Sequence, residues 1–119
     1  MIKLMCFVHR LPGMTPDAFH EHWRKRHGPL IRSNAAAARY LVRYEQNHRV
    51  GKDYDRPGSP DFDGVAVQWF RSYRDFIAMI TDPDWAEITE DEGRFLDRDA
   101  TVFVMTENEE VVVDAPAAS

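Results

Sequence analysis

Between Asp63-Gly64 and Arg71-Ser72 lie six residues, Val65-Ala66-Val67-Gln68-Trp69-Phe70, that are apolar at odd and even positions alike except at Gln68. Successive side chains of a strand point to opposite faces, so a strand of this composition must be covered front and back. The apolar run over 2–9 has the same character before Leu11-Pro12-Gly13 stops it, and so does the run over 101–106. Three such strands need two covers. A chain of 119 residues is the size of one domain, read here as 1–119, and has few elements to spare for them.

The intervening segments supply one cover. Thr15-Pro16-Asp17 offers an N-cap, a proline at the first helical position and an acid in the first turn. Phe19, Trp23, Arg26, His27 and Leu30 then recur at spacings of three and four, which places them along one helical face. Gly28-Pro29 predicts a break or kink, with a second helical segment over 30–38. Residues 39–48 alternate as a strand, with Tyr40, Val42, Tyr44, Gln46 and His48 on one side. Residues 49–62 hold two glycines and two prolines without a period and read as a mobile loop or lid. Ser72 and Asp75 suit a capping box for a helix through Ile80, Asp82-Pro83 ends it, and 85–96 reads as a further helix. A C-terminal extension, 107–119, contains Val111-Val112-Val113 and a frayed tail over 115–119.

The resulting order, β-α-β-β-α-β, predicts an α+β, ferredoxin-like fold with an antiparallel four-stranded sheet. Its helices shield one sheet face. The other would be a large exposed apolar patch, and a second copy packed sheet to sheet is the economical cover. A homodimer is therefore expected.

Fifteen Lys and Arg stand against twenty Asp and Glu, a net charge of -5, which argues against nucleic acid or an anionic membrane as the main partner. No apolar run approaches the roughly 18 residues of a membrane span. The N-terminal run lacks the features of a secretory signal. The single cysteine, Cys6, forms no internal disulfide and no metal cluster by itself. A cytoplasmic location is the resulting expectation. No phosphate loop, nucleophile elbow or nucleotide fingerprint is present, and no cofactor is expected.

Four stretches carry a family likeness. They are Phe19-His20-Glu21-His22-Trp23-Arg24-Lys25-Arg26-His27-Gly28-Pro29-Leu30; Gln46-Asn47-His48; Phe62-Asp63-Gly64-Val65-Ala66 running to Trp69-Phe70-Arg71-Ser72; and Asp91-Glu92 followed by Phe95-Leu96-Asp97 and Thr106-Glu107-Asn108-Glu109. In this order they resemble the EthD family of dimeric α+β barrel proteins across nearly the whole chain. The resemblance implies a dimer and a pocket for a small, often aromatic molecule between helices and sheet. Proteins of this fold include polyketide cyclases and dehydratases, lactone isomerases and cofactor-free monooxygenases. Some plant cyclases carry a catalytic histidine where Trp85 stands here, so that mechanism does not transfer.

His27 lies in line with Phe19 and Trp23 and is the first candidate for general acid or base, its ring pulled one way by a helix end and the other by burial. The alternative is a structural histidine bonded to a carbonyl near Pro29. His48 is read either as the partner of His27 across a pocket or as a solvated strand end. Asp91, with Glu92 beside it, is the carboxylate that could orient an imidazole, or else plain surface. Trp23, Tyr40, Tyr44, Trp69 and Trp85 are candidate ligand contacts, with core packing as the competing reading. The function expected is that of a cofactor-free lyase, isomerase or cyclase-dehydratase acting on a hydrophobic ring compound through histidine. Two alternatives stand beside it: a non-catalytic accessory protein that binds a metabolite, and a cofactor-independent monooxygenase.

Overall fold

A computed structural model describes residues 1–117, so the last two residues of the expected frayed tail lie outside the described residues. The chain begins with β1 (Ile2–Val8). Helix α1 (Pro16–His22) passes through a π-helical turn (Trp23–His27) into α2 (Gly28–Arg32) and is followed by α3 (Ala35–Tyr40). Strands β2 (Leu41–His48) and β3 (Gly64–Phe70) come next, then α4 (Tyr73–Thr81), a 3-10 turn (Pro83–Trp85), α5 (Ala86–Glu92) and β4 (Val102–Glu107). The strands lie in the order β2-β3-β1-β4 with every neighbouring pair antiparallel. This is the ferredoxin-like α+β arrangement.

The helix starts follow from local chemistry. Thr15 accepts from the Ala18 amide at 3.1 Å, Asn34 from Ala37 at 2.9 Å and Ser72 from Asp75 at 3.2 Å. Gly28-Pro29 does not break the first helix. Proline lacks an N–H and its ring crowds the carbonyl four residues back. The helix absorbs this by widening for one turn, with the Gly28 amide reaching the Trp23 carbonyl five residues back. That carbonyl also accepts from Gln46 Nε2 at 2.8 Å. The break comes later, at Ser33-Asn34, where Asn34 caps α3. The helix expected over 85–96 is also shorter, ending at Glu92.

Tyr40 closes α3 instead of opening β2, and a bulge sits between Leu41 and Arg43. Tyr40 and Tyr44 therefore do not share a strand face. Strand pairing puts Leu4, Cys6, Val8, Ala66 and Phe70 on the face under the helices, where Phe19, Trp23 and Phe95 complete the core. Gly64 permits this closeness, since a Cβ there would lie 2.7 Å from the Trp23 ring.

The opposite face carries Met5, Phe7, Val65, Val67, Trp69, Val102 and Val104, and among the described residues no helix lies over it. Val102 and Val104 are 46% and 43% exposed. Trp69 is thus on the wrong side of the sheet to touch a ligand held under the helices. Its ring lies between Lys3 and Arg43, at 5.7 and 5.2 Å.

Within 49–62 a 3-10 turn (Gly51–Asp55) is organised by Arg49, whose guanidinium donates to the Asp53 carboxylate and to the carbonyls of Asp53, Pro60 and Phe62. Among the described residues no helix is long and apolar enough to cross a membrane.

Candidate active site

Helices and sheet enclose a cavity of about 340 Å³. Leu4, Cys6 and Ala66 form its floor and Trp23, Ile88 and Phe95 its roof. Ile80 and Phe103 also line it and are 44% and 57% exposed, so it opens to the surface between α4 and β4.

His27 ends the π-helical turn, 4% exposed, with its ring against Phe95. Its Nδ1 donates to Asp91 Oδ2 at 2.8 Å. This is a carboxylate partner, not the backbone carbonyl near Pro29 that a structural histidine would use. Helix α2 continues beyond His27, so no helix end acts on the ring. Among the described residues nothing bonds Nε2, and no fully buried polar side-chain atom is left without a partner. Nε2 therefore reaches open space, and the space beside His27 is the cavity. Burial holds the imidazole below its ordinary range, against the hydrogen bond and charge of Asp91, while His22 pushes the same way as burial.

Asp91 also accepts from His22 Nε2, 3.1 Å from each carboxylate oxygen, and from Arg94 at 3.3 Å. Burial resists its ionisation, but the hydrogen bonds from His27 and His22 prevail and hold its carboxyl below the usual carboxylate range. Asp91 does not itself line the cavity; it orients the ring that does.

Glu92 is the site residue that sequence reasoning passed over in favour of its neighbour. About 100° further round α5, it faces the cavity and has no hydrogen bond or ion pair among the described residues. Burial pushes its carboxyl up to about 7, with Arg98 opposing and the Asp91 charge adding to the rise. The signal was present in the spacing: Glu92 is four residues past Ile88 and three before Phe95, on the apolar stripe.

Tyr44 and the two tryptophans Trp23 and Trp85 also line the cavity. The Tyr44 oxygen accepts from Trp23 Nε1 at 3.1 Å and from Gln46 Nε2 at 3.3 Å, leaving its own hydrogen free among the described residues. Burial raises this phenol to about 12, so it stays protonated. Tyr40 packs against the core without reaching the cavity.

His48 is not across the pocket from His27. Its ring packs at a tilt against Trp23, centroids 4.3 Å apart, and lies outside the cavity lining. Gln46 spends its amide hydrogens on Trp23 and Tyr44, so its Oε1 accepts from His48 Nε2 at 2.8 Å. His48 Nδ1 lies 2.7 Å from His20 Nδ1. His20 continues to Tyr54 at 2.9 Å, and Tyr54 donates to the buried Asp63 at 2.7 Å, where Arg10 is bound. Burial first, then Arg24 and His20, drive His48 down to about 4. Unfolding restores an ordinary value near 6.5, so the unfolded chain binds the extra proton first. Stability is expected to fall as pH drops from about 6.5 toward 4, by on the order of 1 kcal/mol after allowance for solvent screening. Thermal melts at pH 7 and 4.5 check this: His48→Gln should show a smaller drop than the parent, and an equal drop would show that His48 is not its source.

Among the described residues, no group of three or more His, Cys, Asp or Glu side chains is disposed to hold a metal ion. A model of the EthD domain matches residues 11–99, three quarters of the chain. The chain belongs to the EthD family. The match takes in His27, Asp91 and Glu92. Solved structures agree on the fold. An EthD family protein of Bacillus halodurans superimposes with a TM-score of 0.68 at 19% identity, covering 92% of this chain and 99% of the other. A dimeric ferredoxin-like protein of unknown function from Thermobifida fusca gives 0.62 at 18% identity, over 88% of each chain. SnoaB of Streptomyces nogalater, described as a cofactor-independent oxygenase, gives 0.60 at 9% identity, over 95% and 97%. No curated protein matches the EthD-domain chain significantly.

Proposed function

We propose that this EthD-domain protein is a cofactor-free acid–base enzyme, of lyase, isomerase or cyclase-dehydratase type, acting on a small uncharged ring compound. The observation that carries the reading is His27, tied through Nδ1 to Asp91 with Nε2 left open to an apolar cavity. Asp91 holds the tautomer in which Nε2 bears a lone pair, the arrangement a base needs. Nε2 takes a proton from a carbon next to a carbonyl, and the electron pair moves onto the carbonyl oxygen. The free Tyr44 O–H stabilises that oxyanion. Glu92, protonated for much of the time near neutrality, returns a proton elsewhere: to a departing hydroxyl in dehydration, or to a new carbon in isomerisation. Among the described residues no Lys or Arg lines the cavity, so a substrate carboxylate or phosphate would enter without a countercharge.

The protein works as a homodimer whose two sheets face each other through their helix-free faces as an α+β barrel, with the β2 edges left open at its seams. The apolar residues of that face support this, as does the dimeric ferredoxin-like protein of Thermobifida fusca. The test of function is deuterium uptake from D₂O at the acidic carbons of cyclic ketones and hydroxyketones, followed by mass spectrometry. Uptake that disappears in His27→Gln supports the reading. Binding without uptake, unchanged by the substitution, marks an accessory binding protein instead. The likeness to an oxygenase favours one second reading. Oxygen consumption with an electron-rich phenol, without flavin or metal, would select it.

A further inference from the structure

Beyond β4 the chain makes a turn that the fold itself does not need. Asn108 adopts a left-handed backbone with φ 32°, and its side chain accepts from the N-terminal ammonium at 3.1 Å. Glu109 then pairs with Lys3 at 2.7 Å. Lys3 lies on the helix-free face beside Trp69, so the chain is bent over the face that lacks a cover. The next residues, Val111, Val112 and Val113, are 64%, 90% and 82% exposed. Three consecutive β-branched residues have strong strand preference, and among the described residues they belong to no sheet. Glu110 and Asp114 flank them.

A complementary surface exists elsewhere on the molecule. Strand β2 is an edge of the sheet, with one side of its backbone unpaired. Beside that edge runs an open cleft whose apolar part includes Leu41 and Val42 and whose rim carries Arg24, Arg32 and Arg43. Arg43 has a neighbouring Glu45 at 3.1 Å. Arg24 and Arg32 have no ionic partner among the described residues. Two unmatched acids bracket the valines, and two unmatched arginines border the cleft.

We propose that residues 109–114 of one subunit add as a short strand to the free edge of β2 in a second copy, Val111–113 covering Leu41 and Val42 while Glu110 and Asp114 meet Arg24 and Arg32. This is strand addition, in which main-chain hydrogen bonds supply affinity and side-chain chemistry sets the register. It rests on the dimer reading above. By two-fold symmetry each subunit gives an arm and receives one.

Sedimentation equilibrium of three chains tests it: the full chain, a chain ending at Asn108, and Arg24→Glu/Arg32→Glu. Both altered chains are expected to dimerise at least about tenfold more weakly, equivalent to about 1.4 kcal/mol. Adding Glu110→Arg/Asp114→Arg to the arginine double variant should recover the lost affinity. Truncation without effect would overturn the arm while leaving the dimer intact. A full chain that stays monomeric would overturn the dimer itself. Val42→Cys/Val112→Cys gives a direct readout, because Cys6 is buried and does not compete. Oxidation should yield a covalent dimer; a bond within one chain, or none, would refute the exchange.

Discussion

His27→Gln is expected to lower turnover by a factor of roughly 10²–10⁴, the usual worth of a positioned general base. Glutamine preserves much of the volume beside Phe95, and its amide can still donate to Asp91, so the fold should survive. Asp91→Asn should leave His27 in place but remove the anion that fixes its tautomer, and turnover should fall by a comparable factor. The Asp91 variant also releases His22 and Arg94, so its far-ultraviolet spectrum and melting temperature need to be recorded beside the rate. A positioning role predicts a change in the pH profile of kcat with Asp91→Asn while the fold persists. If His27→Gln turns over normally, the base lies elsewhere in the cavity. If it unfolds, the histidine serves packing.

Glu92→Gln should make the protein more stable and less active at the same time. In the folded chain the carboxyl is pushed up to about 7, against an ordinary value of 4.5. A raised acid binds its proton more tightly when folded, so its contribution is present below about 4.5 and is lost as pH rises through 7. At pH 8 the fold must hold an unpartnered, mostly buried carboxylate, at a cost of about 3 kcal/mol by linkage. Gln removes that charge without a large change in volume. Urea unfolding should show a gain of about this size at pH 8 and little gain at pH 5. Turnover should fall, and the limb of its pH profile near 7 should disappear. Such a trade of stability for a strained acid is common where chemistry needs a perturbed group. Equal stability of parent and variant at pH 8 would mean that Glu92 carries no such strain.

The reach of the sequence differs from residue to residue. Thr15, Asn34 and Ser72 act on amides three residues away, so Thr15 and Ser72 could be read as caps directly. The spacing of His27 with Phe19 and Trp23 predicts an inward side chain, and it is buried beside the cavity, but the helix end invoked for it is absent. Pro29 widens the helix by one residue instead of ending it, because the Trp23 carbonyl finds donors in Gly28 and in Gln46 of a distant strand. Alternation alone places Tyr40 beside a ligand, and aromatic character alone places Trp69 there. One lies before a bulge and the other on the opposite sheet face, and alternation has no origin until pairing sets the register. His48 ends its strand as read, but its partners His20 and Tyr54 are 28 residues upstream and, through His20, in the loop.

Sequence alone determined the order of elements, the strands greasy on both sides and hence the need for two covers, because these depend on side-chain period and on neighbours within a few residues. Tertiary structure decided which carboxylate grips His27 and which one faces the cavity. Asp91 and Glu92 are chemically alike and adjacent, so only the packing of α5 against the π-helical turn gives one a histidine and leaves the other in an apolar space. That difference in surroundings is what separates their proton affinities, and no local pattern contains it.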